Sequence, residues 1–249
     1  MKAIILILFY CFINFVSYSQ ADSASQNKGY KLNNYFELSL GALKDQFSGA
    51  LSWVHYHGIG KKKKLQIGYG LRFTAYFGKN QNYITAPSKV ISGQSGPKGW
   101  FPKLKDYPYN LDTLLISNAQ CYSFNISSNF QYAFTSKLNL GFNIDAIGFS
   151  FGPKQTDKFI SSLNPLGTAE KQSAYVTPFN LLLVSSNDIG TLNSEFYLSY
   201  FITKKIVVKA GFIVLFTEYT TDNKLTFNNK RFRNKTEYMA LLGVSYCPW

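Results

Sequence analysis

The chain has 249 residues, a formal net charge of +13, 17% aromatic residues and only 16% charged residues. Soluble domains usually carry roughly 25% charged residues, so this composition favours a membrane β-barrel, whose wall has few charges and whose rims are aromatic. Beyond the N-terminus no stretch is apolar over the length of a helical span. That excludes a helical membrane protein and leaves a secreted soluble protein or a β-barrel.

The N-terminal segment is expected to precede the folded domain. A basic start is followed by an apolar run over residues 3–16 and then by small residues. This order is typical of a secretory signal peptide, here 1–19, because the apolar run is too short for a helical span. Residues 20–33 are polar without periodicity and are interpreted as a flexible leader. Residues 34–249 are predicted to form one β-barrel domain.

Three strands are predicted first, over 35–43, 49–57 and 65–77. In the first and third, apolar residues alternate with small or polar ones, as in a strand with one apolar face. The second is ambiguous, because two pairs of residues compete for the outer face: Leu51 and Trp53, or Val54 and Tyr56.

The stretch after residue 120 is the clearest strand pair. Strands over 121–134 and 138–151 flank the short break 135–137, which predicts an antiparallel hairpin. One face is large and apolar, whereas the other is mostly Ser, Asn, Gln and Gly. Small uncharged polar groups suit a crowded, hydrated interior, so the apolar face is expected to point outward to lipid. A soluble secreted lipid-carrier barrel with its apolar face inside remains the alternative.

The rest of the chain adds three predicted strands, over 192–202, 206–217 and 238–246, for a total of eight. The connections at 58–64, 135–137 and 203–205 are short, and those at 78–120, 152–191 and 220–235 are long. Outer-membrane barrels have an even strand number, short periplasmic turns and long extracellular loops. The expected fold is therefore all-β, an antiparallel up-and-down transmembrane barrel of about eight strands.

This pattern resembles the small outer-membrane β-barrel proteins of Gram-negative bacteria over the whole predicted domain. In the last strand apolar residues up to Tyr246 alternate with small or polar ones, and the sequence then ends in the aromatic Trp249. The resemblance implies an outer-membrane location, and Tyr246 and Trp249 as the signal for the barrel-assembly machinery. It leaves a structural, adhesive or limited-transport role open. A monomer without cofactor is expected.

Six charged residues are expected to face the lumen. They are Glu37, Arg72, Asp145, Glu195, Lys209 and Glu237. Charges inside a narrow barrel are costly unless they are paired. One interpretation is a salt-bridge network that fills the interior, and the other is a gated or narrow permeation path.

The remaining candidate groups give weaker signals. The run Lys61–Lys64 is interpreted as a solvated periplasmic turn. Outer-loop cations are expected either to bind lipid phosphates or to be solvated; they are Lys79, Lys89, Lys98, Lys103, Lys105, Lys230, Arg231, Arg233 and Lys235. A secreted chain rarely meets nucleic acid, so that partner is not expected.

Enzymatic chemistry has little support in the sequence. His55 and His57 are the only histidines, and no Gly-x-Ser-x-Gly motif surrounds a serine. We therefore expect no enzyme, although a lipid-modifying barrel enzyme remains the alternative. Cys121 and Cys247 are expected on opposite sides of the membrane and without a disulfide. No metal site is expected.

Overall fold

A computed structural model describes residues 34–86, 88–91, 111–164, 170–183, 187–234 and 237–248. The predicted signal peptide and leader, and Trp249, lie outside these residues. No helix in the described part of the chain is long and apolar enough to cross a membrane.

Thirteen strands form a single antiparallel sheet in the described residues. They are β1 (Asn34–Leu43), β2 (Gln46–Ile59), β3 (Leu65–Thr85), β4 (Thr113–Ala133), β5 (Leu138–Phe151), β6 (Gln155–Ile160), β7 (Glu170–Val176), β8 (Phe179–Leu181), β9 (Leu192–Phe201), β10 (Ile206–Phe216), β11 (Glu218–Thr221), β12 (Arg231–Asn234) and β13 (Tyr238–Tyr246). The described residues also contain a four-residue helix, α1 (Ser88–Ile91), and a 3-10 turn, η1 (Thr226–Asn228).

The predicted count of eight strands is not confirmed, because segments predicted as loops contain strands. Both β3 and β4 extend beyond their predicted ends, to Thr85 and from Thr113. Strands β6, β7 and β8 lie within 152–191, and β11 and β12 lie beside or within 220–235. These five strands are only three to seven residues long, too short for a clear period of two.

Eight of the strands pair in a closed cycle, which we call the eight-strand ring. The order is β1, β2, β3, β4, β5, β9, β10, β13 and back to β1. The fold is therefore an all-β antiparallel barrel. The short connections after β2, β4 and β9, the start of β1 and the end of β13 all lie at one end of this ring, which we call the terminal end.

The eight-strand ring has a polar interior and an apolar outer surface. On β1, Glu37 and Ser39 are buried, whereas Phe36, Leu38 and Leu40 are 52%, 43% and 45% exposed. The other strands also present exposed apolar side chains, among them Phe73, Ile126, Phe149, Phe196, Val208 and Leu242.

The orientation of β2, ambiguous in the sequence, is settled by the ladder to its neighbours. Leu51 and Trp53 face outward, while Val54 and Tyr56 are buried in the interior. The ambiguity arose because β2 carries apolar residues on both faces.

A β-bulge in β5 keeps Ile147 on the outer face while Asp145 faces the interior. Ser127 lies opposite Asp145 and Ile126 lies opposite Ile147, so Ala146 is an extra residue in the β4–β5 ladder. Without it, either Asp145 would face outward or Ile147 would face inward, because successive strand residues alternate between faces. The uniform alternation predicted for 138–151 therefore breaks at Ala146.

A second cycle of pairing closes at the end of the eight-strand ring away from the terminal end. We call it the six-strand ring, formed by residues 81–85 of β3, residues 113–116 of β4, and β6, β7, β11 and β12. Its interior is apolar and contains Tyr83, Leu114, Ile116, Phe159, Ala174, Val176, Tyr219 and Phe232. Its outward residues are mostly polar, as at Thr156, Lys158 and Lys171.

The two rings meet where β3 and β4 change the face that they bury. On β3 the buried residues are even-numbered up to Gly78, and Asn80 then adopts a left-handed conformation with a φ of 50°. On β4 the buried residues are even-numbered up to Ile116 and odd-numbered from Ala119 onward. The same two strands thus build two rings of opposite polarity.

Candidate functional site

Five of the six charged residues expected in the lumen meet in one buried chain of ion pairs. Arg72 Nη1 lies 3.1 Å from Asp145 Oδ1, and Arg72 Nη2 lies 3.9 Å from Glu195 Oε2. Lys209 Nζ lies 2.8 Å from Glu195 Oε2 and 2.6 Å from Glu37 Oε2. The order Asp145–Arg72–Glu195–Lys209–Glu37 alternates in sign and crosses the interior from β5 to β1.

Neutral polar groups hold the carboxylates of this charged network in place. Asn125 Nδ2 donates to Asp145 Oδ2 at 2.8 Å, and Asn143 Nδ2 donates to Glu195 Oε2 at 3.0 Å. The Arg72 guanidinium also donates to Ser52 Oγ at 3.3 Å. All five charged residues are at most 4% exposed. Such charges are tolerated in a barrel only because each has an opposite charge nearby.

Glu237 does not belong to the charged network, and its prediction is corrected. It precedes β13 and is exposed at the end of the ring opposite the terminal end. Its Oε2 accepts a hydrogen bond from Gln46 Nε2 at 2.6 Å. Alternation predicted that Glu237 faces inward, but β13 begins only at Tyr238, so Glu237 lies outside the strand.

Tyrosines close the interior between the charged network and the terminal end. The hydroxyl groups of Tyr56 and Tyr197 lie 3.3 Å apart, and Gln131 Nε2 donates to Tyr197 Oη at 3.2 Å. The Tyr35 ring packs edge-on against Tyr56 at a centroid distance of 5.4 Å. The ammonium of Lys209 lies 4.7 Å from the Tyr197 ring centroid.

The segment that follows β7 closes the interior on the other side of the network. Asn180 Nδ2 donates to Asn125 Oδ1 at 2.7 Å, and Thr191 N–H donates to Asn180 Oδ1 at 2.8 Å. Asn180 and Thr191 were missed because they fall in a segment predicted as loop, with no period that would mark them as interior. Beyond them lie apolar residues, including Ile213, Leu215 and Met239. Buried side chains therefore occupy the described interior at each of these levels.

A second buried charge cluster lies on the six-strand ring. Glu218 is fully buried and accepts hydrogen bonds from Arg231 Nε at 2.7 Å and Arg231 Nη2 at 2.8 Å. Arg233 Nη2 lies 3.5 Å from Glu218 Oε2 and also donates to the Asp188 carbonyl. Burial raises the pKa of Asp188 and lowers the pKa of Arg233.

The cluster around Glu218 contains two of the outer-loop cations for which lipid binding was considered, Arg231 and Arg233. Arg231 and Arg233 form ion pairs with Glu218, and their side chains are 24% and 11% exposed, so they differ from fully solvated loop cations. Lys230 donates to the Asp222 carbonyl at 2.7 Å, and Lys79 is exposed. The side chains of Lys89, Lys98, Lys103, Lys105 and Lys235 lie outside the described residues.

The histidines and cysteines complete the set of candidate groups. His55 and His57 point outward from β2 near the terminal end, where they pack with Trp53 and Tyr69. Cys121 is buried and its Sγ lies 3.0 Å from Thr191 Oγ1. Neither Cys121 nor Cys247 forms a disulfide. Among the described residues no cluster of three or more His, Cys, Asp or Glu could hold a metal.

The residues expected to form the assembly signal can be followed only in part. Tyr246 is the last residue of β13, points outward and pairs with Phe36 of β1. Trp249 lies outside the described residues.

Comparison with known proteins identifies no family. No protein-family model and no curated protein matches the chain. Among solved structures, Neisserial surface protein A matches 87% of this chain and 95% of its own, with a TM-score of 0.34 and 10% identity. The Yersinia pestis outer membrane protein Ail matches 86% of this chain and 98% of its own, with a TM-score of 0.32 and 10% identity. The P. putida toluene transporter TodX matches 86% of this chain and 90% of its own, with a TM-score of 0.23 and 11% identity.

Proposed function

We propose that this chain is an integral outer-membrane protein whose eight-strand ring spans the membrane and whose six-strand ring stands in water at the cell surface. The observation that carries the proposal is the reversal of polarity between the rings. An apolar outer wall around a polar interior is stable in lipid, whereas a polar outer wall around an apolar core is stable in water.

The height of the apolar wall agrees with a bilayer. On β3 the outward residues from Leu65 to Phe77 are apolar or aromatic, and all except Ala75 are exposed. At about 3.3 Å per residue and a tilt of about 40°, this segment rises about 30 Å, close to the hydrocarbon thickness. Outward aromatic clusters lie near both limits: Phe77, Tyr122 and Phe151 at one, and Trp53, His57 and Tyr69 at the other.

The filled interior favours a structural or adhesive role over transport. Side chains occupy the bore at the tyrosines, at the charged network and in the six-strand ring, so a solute would have to displace buried ion pairs. A lipid-modifying enzyme has less support, because His55 and His57 lie on the outer wall. A soluble lipid carrier has less support still, because its apolar wall would face water. We also propose outer-membrane lipid and the barrel-assembly machinery as partners.

Membrane fractionation combined with epitope tags tests this proposal. A tag in residues 165–169, between β6 and β7, should be labelled on intact cells. A matched tag in residues 135–137 should be labelled only after the outer membrane is permeabilised. Recovery of the untagged protein in the soluble fraction would contradict the membrane location. Labelling of the 135–137 tag alone on intact cells would reverse the orientation.

A further inference from the structure

Seven exposed lysines surround the terminal end of the eight-strand ring, and we call them the lysine rim. They occupy the connections after β2, β4 and β9: Lys61, Lys62, Lys63, Lys64, Lys137, Lys204 and Lys205. The residues that flank these connections, 53–71, 129–142 and 199–212, include no Asp or Glu. Among the described residues no ion pair involves a lysine of the rim. Within the described part of the chain, this edge of the barrel therefore carries unneutralised positive charge.

Backbone hydrogen bonds join the three connections to one another around the ring. The carbonyl groups of Lys64, Lys137 and Lys205 accept hydrogen bonds from the N–H groups of Ala133, Phe201 and Cys247, at 2.8, 2.9 and 2.8 Å. Each of the three lysines is the last residue before a strand that returns through the wall. Their Cα positions are thus fixed relative to the barrel.

Two of the connections are built alike. Thr135 Oγ1 accepts from the N–H groups of Lys137 and Leu138, at 3.2 and 3.0 Å. In the same way, Thr203 Oγ1 accepts from the N–H groups of Lys205 and Ile206, at 3.1 and 3.0 Å. The same turn therefore places a lysine at the same level of the wall twice.

The lysine rim lies directly beside the outward apolar surface. Tyr132, Phe134, Ile202 and Ile206 flank the rim and are all exposed. A lysine at such an edge can lay its alkyl chain along the apolar surface and extend its ammonium into the layer of lipid headgroups. A water-soluble partner would not require the charges to follow the edge of the apolar wall.

We propose that the lysine rim binds the phosphate groups of anionic phospholipids in the leaflet at the terminal end. The inference rests on the proposed membrane location, and it adds anionic phospholipids as the ligand and the lysine rim as their site. Each lysine close to an anionic membrane surface is attracted to the negative lipid headgroups. This attraction falls off within a Debye length of the surface. The sequence placed lipid phosphates at the outer loops instead, where two of the cations are paired with Glu218.

Quenching by brominated lipids measures this preference directly, since the partly exposed Trp53 lies on the outer wall. The full mature chain is reconstituted in vesicles of phosphatidylcholine, with either brominated phosphatidylcholine or brominated phosphatidylglycerol as quencher. We expect phosphatidylglycerol to be preferred by about threefold at low salt. The preference should fall to none at high salt, because salt screens exposed charges.

Two triple variants with equal changes in net charge locate the site. Lys64→Gln, Lys137→Gln and Lys205→Gln together should remove most of the preference, and they leave the backbone hydrogen bonds in place. Lys158→Gln, Lys171→Gln and Lys224→Gln, which lie on β6, on β7 and in the connection between β11 and β12 of the six-strand ring, should leave the preference unchanged. Equal preference for both lipids in the wild type, or equal losses in the two variants, would overturn the inference. No quenching by either lipid would overturn the membrane location and this inference with it.

Discussion

Lys209 Nζ lies 2.6 Å from Glu37 Oε2, although β10 and β1 are not neighbours in the ring. Strand β13 runs between them, and Gly243 is the residue of β13 that lies opposite Lys209. A Cβ atom at Gly243 would lie 2.7 Å from Lys209 Cε and 2.9 Å from Lys209 Cγ. The missing side chain of Gly243 is therefore what allows Lys209 to reach across β13 to Glu37.

The first prediction follows from this contact. Gly243→Ala should displace the Lys209 side chain and lower the free energy of unfolding by about 2 kcal/mol, as overpacking does in other cores. Gly49→Ala is the matched control, because a Cβ there meets only Leu40 Cδ2 at 3.7 Å. Urea unfolding in vesicles measures both. Equal stability of the two variants would mean that Lys209 does not cross β13.

The second prediction concerns the charged network itself. Arg72→Ala leaves Asp145 and Glu195 buried with one cation fewer, which should cost on the order of 3 kcal/mol of unfolding free energy. Lys154→Ala removes an exposed pair, in which the side chains of Lys154 and Asp222 are 57% and 42% exposed. It should cost less than about 1 kcal/mol. An unchanged unfolding midpoint for Arg72→Ala would contradict the inward register of β3.

Much of the eight-strand ring could be predicted from sequence, because its wall separates two kinds of side chain. Where polar residues face inward and apolar residues outward, as on β1, period two gives both the strand and its face. The same alternation brought Arg72, Asp145, Glu195, Lys209 and Glu37 to the interior side. Their pairing across the ring could not be predicted, since it depends on the order in which the strands pair and on the missing side chain of Gly243.

The six-strand ring could not be predicted from the sequence. Tyr83 and Ile116 belong to strands that continue from the eight-strand ring, but the buried face changes parity at Asn80 and between Ile116 and Ala119. The other strands are short and come from segments far apart in sequence. Glu218 pairs with Arg231 and Arg233 only because those segments meet.

A third prediction addresses this second ring. Glu218→Gln should leave Arg231 and Arg233 without their buried anion, and it should open the six-strand ring while the eight-strand ring stays folded. Hydrogen exchange followed by mass spectrometry should show faster exchange in β7, β11 and β12 and unchanged exchange in β1. The exposed Asp222→Asn is the control and should change neither. Faster exchange across both rings would show that they unfold together.

A fourth prediction concerns conduction. The wild-type protein in a planar bilayer should show no large, stable conductance, because buried side chains fill the bore. Arg72→Ala should produce a measurable leak, since it removes one of the two cations of the network. Lys154→Ala should resemble the wild type. Porin-like conductance in the wild type would contradict the closed interior and favour a transport role.

Spin-label accessibility at Leu40 and Leu242 tests the central claim, that the apolar wall of the eight-strand ring lies in hydrocarbon. These residues pair across β1 and β13 and both face outward. Single cysteines replace Leu40, Leu242 or, as a control, Lys158 of the six-strand ring, in a chain with Cys121→Ser and Cys247→Ser. In vesicles, labels at Leu40 and Leu242 should collide with oxygen more than with a water-soluble nickel chelate, and the label at Lys158 should show the opposite. Nickel collisions as frequent at Leu40 and Leu242 as at Lys158 would contradict the membrane-spanning barrel.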